Sequence, residues 1–305
     1  MTSVKEGDEV GGLLRHSGTC AVIGRPNVGK STLLNRIAGE KVSIVTRRPQ
    51  TTRHSIVAVK NRADGQIVWI DTPGIHGESQ KALNRQINRA ALEVLGDVDV
   101  IVLMTRELKW TEQDEAVLEH ARRAGKPIVL AINQVDRLKD KQELLPYLDQ
   151  LNARGVFDAL VPISAHRGTN VEALEQEVVE RLPEGPSFYP RDVVTDRDLA
   201  FRLGELVREQ VMEVLGEEVP YATTVQVESL ELDEDRLEMG AVIWVEREGQ
   251  KPIVIGREGK RLKKIGSAAR AEMERLLDRS VRLELWVKVR EGWTSDERAV
   301  REFGY

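Results

Sequence analysis

One eight-residue stretch limits this chain more than any other: Gly24-Arg25-Pro26-Asn27-Val28-Gly29-Lys30-Ser31. It follows a short apolar run at residues 19–23 and precedes a helical pattern at residues 30–38. Glycines at both ends let backbone N–H groups close around phosphate oxygens. The helix that follows aims its positive N-terminus at the same anion. Lys30 is placed to reach the outer phosphates of a nucleotide, and Ser31 to ligate a divalent cation. Thr32 continues the loop into the helix and counts with the nucleotide-binding residues. A strand-loop-helix of this kind needs a mostly parallel sheet to carry it.

Three later segments extend the site. Asp71-Thr72-Pro73-Gly74 closes a strongly apolar strand. A carboxylate at a strand end can hold magnesium through water. The Gly74 N–H can sense a terminal phosphate, so the loop after it can order or relax. Asn133-Gln134-Val135-Asp136 follows another strand. A carboxylate at Asp136 matches the paired N1 and N2 donors of guanine, a pattern adenine lacks, and such a pair discriminates strongly. Ser164-Ala165 ends the last strand of this half, where a backbone N–H can meet the guanine carbonyl.

The 305 residues predict two domains. Strands alternate with helices to residue 182; the Pro- and Gly-rich run LPEGPSFYP, residues 182–190, then reads as a linker. The expected division is an extension at 1–16, a nucleotide-binding domain at 17–184, a linker at 185–198, a second domain at 199–294 and a tail at 295–305. The second domain reads helix, strand, strand, two short helices flanking Gly266, and strand. Cys20, the single cysteine, excludes an internal disulfide and sits in an apolar run, so it reads as core. Residues 1–17 lack the apolar run of a signal peptide, and no stretch approaches about 18 apolar residues. A cytoplasmic protein is expected, with peripheral membrane contact left open.

The whole chain carries a net charge of −5, which makes it no general attractor of nucleic acid. The second half nevertheless holds a Gly-x-x-Gly loop, Gly256-Arg257-Glu258-Gly259, followed by Lys260, Arg261, Lys263 and Lys264. Five basic residues thus face one acid within nine positions, in a half that counts 20 basic against 25 acidic residues from Arg191 onward. Two glycines let backbone approach phosphates closely, as in the loop that clamps single-stranded nucleic acid in KH domains. Trp244 and Trp286, on alternating strands, read as core, whereas Trp293 is left open.

GRPNVGKST, VSIVTRRPQTTRH, DTPGIH and the later motifs resemble the Era family, in the translation-factor-related class of small GTPases. The resemblance covers nearly the whole chain. It implies an α/β P-loop GTPase domain, with a mostly parallel sheet and helices on both faces, followed by an α+β type II KH domain. It implies GTP hydrolysis and binding near the 3′ end of small-subunit ribosomal RNA, in assembly of the 30S subunit, by a monomer. Residues 50–54 become the switch over the γ-phosphate, with Thr52, or its neighbour Thr51, joining Ser31 and Asp71 on magnesium. The implied catalytic set is Lys30, Thr52, Gly74 and Asn27, the last holding a potassium ion near the phosphates.

Two positions depart from expectation. Gln134 stands where the family has lysine, whose stem packs over the base and contacts the P-loop. Ile75 occupies the place of the water-orienting glutamine of Ras-like enzymes, so slow intrinsic turnover without a side-chain base there is expected. His76 reads as a structural or solvated histidine. Two rival readings are a nucleotide-holding RNA scaffold with negligible turnover and an ATP-dependent RNA enzyme; Asp136 argues against the second.

Overall fold

The computed structural model describes residues 15–74, 81–216 and 218–305. In the first domain the chain runs β1 (His16–Ile23), α1 (Lys30–Ala38), β2 (Ile56–Asn61), β3 (Gly65–Asp71), α2 (Ala82–Asp97), β4 (Val100–Arg106), α3 (Glu112–Ala124), β5 (Ile128–Asn133), α4 (Leu144–Asn152), β6 (Ala159–Pro162) and α5 (Val171–Val179). The strands form one sheet in the order β2-β3-β1-β4-β5-β6. Only the β2–β3 hairpin is antiparallel.

A parallel strand buried on both faces must be apolar throughout, and β1 shows why. Cys20 and Val22 pack on one face with Leu33, Leu34 and Leu174, while Ala21 and Ile23 pack on the other with Val117, Leu118 and Leu151. Successive side chains therefore serve two separate cores. Cys20 is fully buried. The loops after β1, β3, β5 and β6 all leave the carboxyl ends of their strands, where ligands of open α/β sheets bind.

The second domain runs α6 (Leu199–Val214), β7 (Thr223–Leu232), β8 (Arg236–Val245), α7 (Lys251–Ile255), α8 (Lys260–Leu277), β9 (Ser280–Val289) and α9 (Glu297–Glu302). β8 lies between antiparallel β7 and parallel β9. Leu237, Met239, Ala241, Ile243 and Val245 point to one face, against Leu203, Leu206, Val207 and Val211 of α6 and Ile265, Ala269 and Met273 of α8. The i, i+4, i+8 spacing on α8 is the stripe of a helix covering a sheet.

Gly266 does not separate two helices: it lies inside the 18-residue α8. A mid-helix glycine costs about 1 kcal/mol, which the buried stripe around it outweighs. The break falls at the Gly256–Gly259 loop, between α7 and α8. The tryptophans also invert the expectation. On β9 the inward positions are odd-numbered, so Trp286 faces outward and is 45% exposed. Trp244 shares that outer face, half-covered by Phe303. Trp293 is fully buried and donates its indole N–H to the Ala222 carbonyl at 3.1 Å.

Neither the linker nor the tail hangs free. The buried Gln66 carboxamide accepts from the N–H groups of Phe188 (2.8 Å) and Tyr189 (3.0 Å) and donates to the Tyr189 carbonyl (2.8 Å). The Val59 N–H donates to the Val194 carbonyl at 2.8 Å. Beyond residue 295, α9 packs with Trp293 on Ala82, Leu83 and Ile87 of α2, joining the end of the second domain to the first.

Candidate nucleotide site and nucleic-acid face

The loop after β1 is shaped by Gly29. Its φ is 104°, and a Cβ built there would stand 2.3 Å from Asn133 Nδ2, so no side chain fits. α1 then starts at Lys30 with its N-terminus facing the cradle. The Lys30 ammonium, almost fully buried, donates to the carbonyls of Gly24 (3.0 Å) and Arg25 (3.4 Å). Burial pulls its pKa down, against the pull of Asp71. Pro26 and Gly74 face each other across it: a Cβ on Gly74 would lie 3.5 Å from Pro26 Cγ and 3.7 Å from Lys30 Nζ. Thr72 bonds back to the Val22 carbonyl at 3.0 Å, fixing the turn that carries Pro73 and Gly74. Ile75 and His76 lie outside the described residues.

Asp71 is the focus of the site. Its Oδ2 accepts from Ser31 Oγ (2.7 Å), Thr52 Oγ1 (3.3 Å) and Ser43 Oγ (3.3 Å), and Ser31 and Thr52 hydroxyls are 2.9 Å apart. Its Oδ1 is buried with no partner. Burial pushes the carboxyl pKa up, opposed by Lys30 and the hydroxyl bonds. Hydroxyls gathered on one carboxylate oxygen, beside a second that is buried and unpartnered, are a set of hard oxygen donors that fits a magnesium ion, which takes such donors in near-octahedral geometry. Thr51 is turned away: its hydroxyl donates to the Arg48 carbonyl at 2.8 Å and lies 2.6 Å from Thr46 Oγ1. Geometry thus separates the two threonines that the sequence leaves paired.

Other loop residues brace the cradle or line it. Arg25 pairs with the buried Asp114 at the start of α3, 3.0 Å away. Asn27 donates to the Arg47 carbonyl at 3.1 Å. Thr32 lines the cleft beside Ser31. Val28 is buried, and its carbonyl accepts from Asn133 Nδ2 at 2.7 Å. Asn133 Oδ1 accepts from the Ala165 N–H at 2.9 Å. Asn133 therefore ties three loops together. Asp136 presents a carboxylate held below its usual range by a hydrogen bond from Ser164, helped by Arg167 at 3.6 Å. It is ionised at neutral pH, as an acceptor for paired guanine donors must be. Gln134 sits at φ 69° with its carboxamide oxygen 3.4 Å from Arg137.

Contacts from the second domain fasten the strap carrying Thr52, and nothing in the sequence motifs signals them. Arg208 of α6, fully buried and held by Glu205 at 2.6 Å, donates to the Thr51 carbonyl. Glu209 accepts from the Val45 N–H (2.9 Å) and from Lys41 (2.6 Å). In the reverse direction, buried Arg53 donates to the carbonyls of Thr223 (2.7 Å), Pro220 (3.1 Å) and Tyr221 (3.1 Å).

The second face lies at the start of α8. Gly256, Glu258 and Gly259 all have positive φ, so the loop turns sharply with its N–H groups near the helix N-terminus. Arg261 is anchored on the Ile253 carbonyl (2.6 Å) and Lys260 on Glu258 (2.8 Å). Arg257, Lys263 and Lys264 are exposed. A cleft between α8 and β9 has an apolar floor of Leu262, Leu283 and Leu285, and is rimmed by Lys263, Arg236, Arg270 and Arg282. The three arginines come from distant sequence positions, so no local charge run announces them.

Fold and site together define a class: a P-loop GTPase domain followed by a KH domain. A family model described as "50S ribosome-binding GTPase" matches residues 19–134, and one described as "KH domain" matches residues 218–294. The GTPase Era of Stenotrophomonas maltophilia (strain R551-3) is 52% identical over 290 residues, covering 95% of this chain and 97% of that protein. The GTPase Era of Glaesserella parasuis serovar 5 is 50% identical over 291 residues, with 95% and 97% covered. Among solved structures, an Aquifex aeolicus Era variant bound to GDP.AlF4- superposes with a TM-score of 0.90 at 38% identity, covering 95% of this chain and 99% of that one. Era in complex with MgGDPNP and nucleotides 1506-1542 of 16S ribosomal RNA gives 0.91 at 37%, with the same coverage. The chain belongs to the Era GTPase family, and it is a GTPase.

Proposed function

We propose that this protein is a GTP-driven switch that binds small-subunit ribosomal RNA near its 3′ end and assists assembly and maturation of the 30S subunit. The convergence of Ser31, Thr52 and Asp71, with Asp71 Oδ1 left unpartnered, carries the nucleotide half of the reading. Those three residues would hold magnesium, which would supply positive charge to the phosphates. Lys30 and the loop N–H groups hold the β- and γ-phosphates, and the Gly74 N–H meets the γ-phosphate. Asp136 reads guanine, and the Ala165 N–H, held on Asn133 Oδ1 in this structure, turns to the guanine carbonyl when nucleotide binds. Asn27 holds potassium in the same reading; equal turnover in sodium and potassium would remove that part.

The RNA half rests on the positive-φ Gly256–Gly259 loop and the basic-rimmed apolar cleft beside it. Apolar floors accept stacked bases while basic rims track phosphates. A relative 37% identical is solved with a 16S ribosomal RNA segment, which supports the same ligand class here. Coupling runs by direct contact, Arg208 on Thr51 and Arg53 on Thr223, alongside the linker, whose segment is itself bonded to Gln66. The protein acts as a monomer in the cytoplasm. Among the described residues no helix is long and apolar enough to cross a membrane.

A multiple-turnover phosphate-release assay with and without RNA tests the reading. Slow but sustained release, changed by RNA, is expected; no release beyond one equivalent favours a nucleotide-holding scaffold.

A further inference from the structure

The family lysine is missing at Gln134, and the structure puts a different cation beside that place. β4 and β5 pair in parallel with Arg106 opposite Asn133, so Arg106 ends its strand next to the start of the guanine-reading segment. The Glu107 N–H donates to the Asn133 carbonyl at 3.1 Å and pins that alignment. From there the Arg106 guanidinium reaches over the P-loop and donates Nη1 to the Asn27 carbonyl at 3.3 Å. Its Nε is buried without a partner. Arg106, Gln134 and Asn27 line the same cleft as Lys30 and Ser31.

A nucleotide with its phosphates on Lys30 and its guanine on Asp136 must lay its ribose and base across this floor. Gln134 is short and uncharged there, and its carboxamide oxygen is engaged by Arg137. Arg137 is exposed and reaches Gln134 rather than the P-loop. Arg106 alone among these three joins a half-buried planar cation to a P-loop carbonyl with donor capacity to spare. A guanidinium is weakly hydrated and stacks on aromatic faces, which suits the face of a purine and the oxygens of a ribose.

We propose that Arg106 is a nucleotide-binding residue of this chain, supporting the base and ribose of GTP and GDP where Gln134 cannot. The inference rests on the nucleotide site described above. Because its contacts are to base and ribose rather than the γ-phosphate, it strengthens both nucleotides alike and sets affinity rather than the GTP/GDP preference.

The test uses the full-length protein and displacement of a fluorescent GDP by GDP and by a non-hydrolysable GTP analogue. Arg106→Ala is expected to weaken both by a similar factor, about tenfold or more, the scale of one charged hydrogen bond with stacking. Arg106→Gln, which keeps a hydrogen-bond donor but is shorter and loses the charge and the guanidinium plane, is expected to show most of that loss. Gln134→Lys should recover binding in the Arg106→Ala background while changing the unmodified chain little. Lys30→Ala in parallel reports on the site itself. Arg106 variants that bind like the parent while Lys30→Ala has lost nucleotide overturn the proposal and leave the site standing. If Lys30→Ala also binds normally, the site reading fails, and the proposal with it. Unchanged thermal unfolding of Arg106→Gln checks that its affinity loss is local; an affinity loss matched by a collapsed fold in every Arg106 variant, without rescue by Gln134→Lys, also counts against it.

Discussion

The guanidinium of Arg208, on the first helix of the second domain, donates to the backbone carbonyl of Thr51, the residue immediately before the threonine that faces Ser31 and Asp71 in the first. A side chain of the KH domain thereby fixes the backbone of the strap that carries Thr52. Removing Arg208 alone strands the mostly buried Glu205 carboxylate, at a cost of about 3–5 kcal/mol. The double change Arg208→Met with Glu205→Gln avoids that. It is expected to lower affinity for a GTP analogue about tenfold relative to GDP, the worth of one charged hydrogen bond made in the closed strap. Parallel titrations of the two nucleotides check it; equal losses for both would detach Arg208 from the switch.

In the proposed site, Asp71 would set the metal requirement. Asp71→Asn keeps the acceptor for Ser31 but removes the charge. The magnesium concentration for half-maximal binding of a GTP analogue should rise at least about tenfold, because magnesium is held by few carboxylates and each counts heavily. Magnesium titrations of both proteins decide the point, and an unchanged requirement would place the ion elsewhere.

What the sequence reveals depends on the kind of signal each feature leaves. Lys30, Ser31, Asp71, Asn133 and Asp136 sit in contiguous motifs whose spacing follows from the proposed chemistry, so the linear order of residues is enough to propose them. Thr51 and Thr52 are adjacent and alike, and only the strap's path separates them. The strand parity that turns Trp286 outward is present in the alternation of residues 281–289; weighing tryptophan's bulk above its register hides it. Gly266 reads as a break because local propensity ignores the buried stripe of Ile265, Ala269 and Met273. Arg106, Arg208 and Arg282 are isolated arginines in sequence. Their meaning comes from strand pairing and domain contact, which local patterns do not encode.

On the second domain, Lys263 and Arg282 rim the cleft beside the Gly-x-x-Gly loop. Each carries a phosphate contact in the proposed complex. Lys263→Ala or Arg282→Ala should weaken binding of single-stranded RNA across sequences and lower the slope of log affinity against log salt by about one. Filter binding at several salt concentrations measures this. An unchanged slope in both variants would move the RNA off this cleft.

His54 gives the domain contact a pH signature. Its ring stacks on Tyr305 at 4.5 Å and meets Phe201 edge-on at 5.2 Å. Burial pulls its pKa from 6.5 down to about 4, opposed by Glu205 and reinforced by Arg208, Arg197 and Arg53. The unfolded chain takes up this proton at higher pH than the folded one, so the contribution is complete above 6.5 and is lost as pH falls through 6.5 toward about 4. Urea unfolding at pH 7 and pH 5 should show a larger loss for the parent than for His54→Phe, which keeps the stack without the titration. Equal losses would mean that the ring is not held neutral.

The central claim is that nucleotide state and RNA affinity are linked through the Arg208–Thr51 contact. The most direct measurement is the affinity of the full-length protein for a single-stranded RNA from the 3′ end of small-subunit ribosomal RNA, taken with a non-hydrolysable GTP analogue and with GDP. The two nucleotides should be titrated into the protein with and without that RNA. The account predicts that RNA affinity differs between the two nucleotides and that RNA shifts the GTP-to-GDP affinity ratio by the same factor, as linkage requires. Identical RNA affinity in both nucleotide states would contradict it.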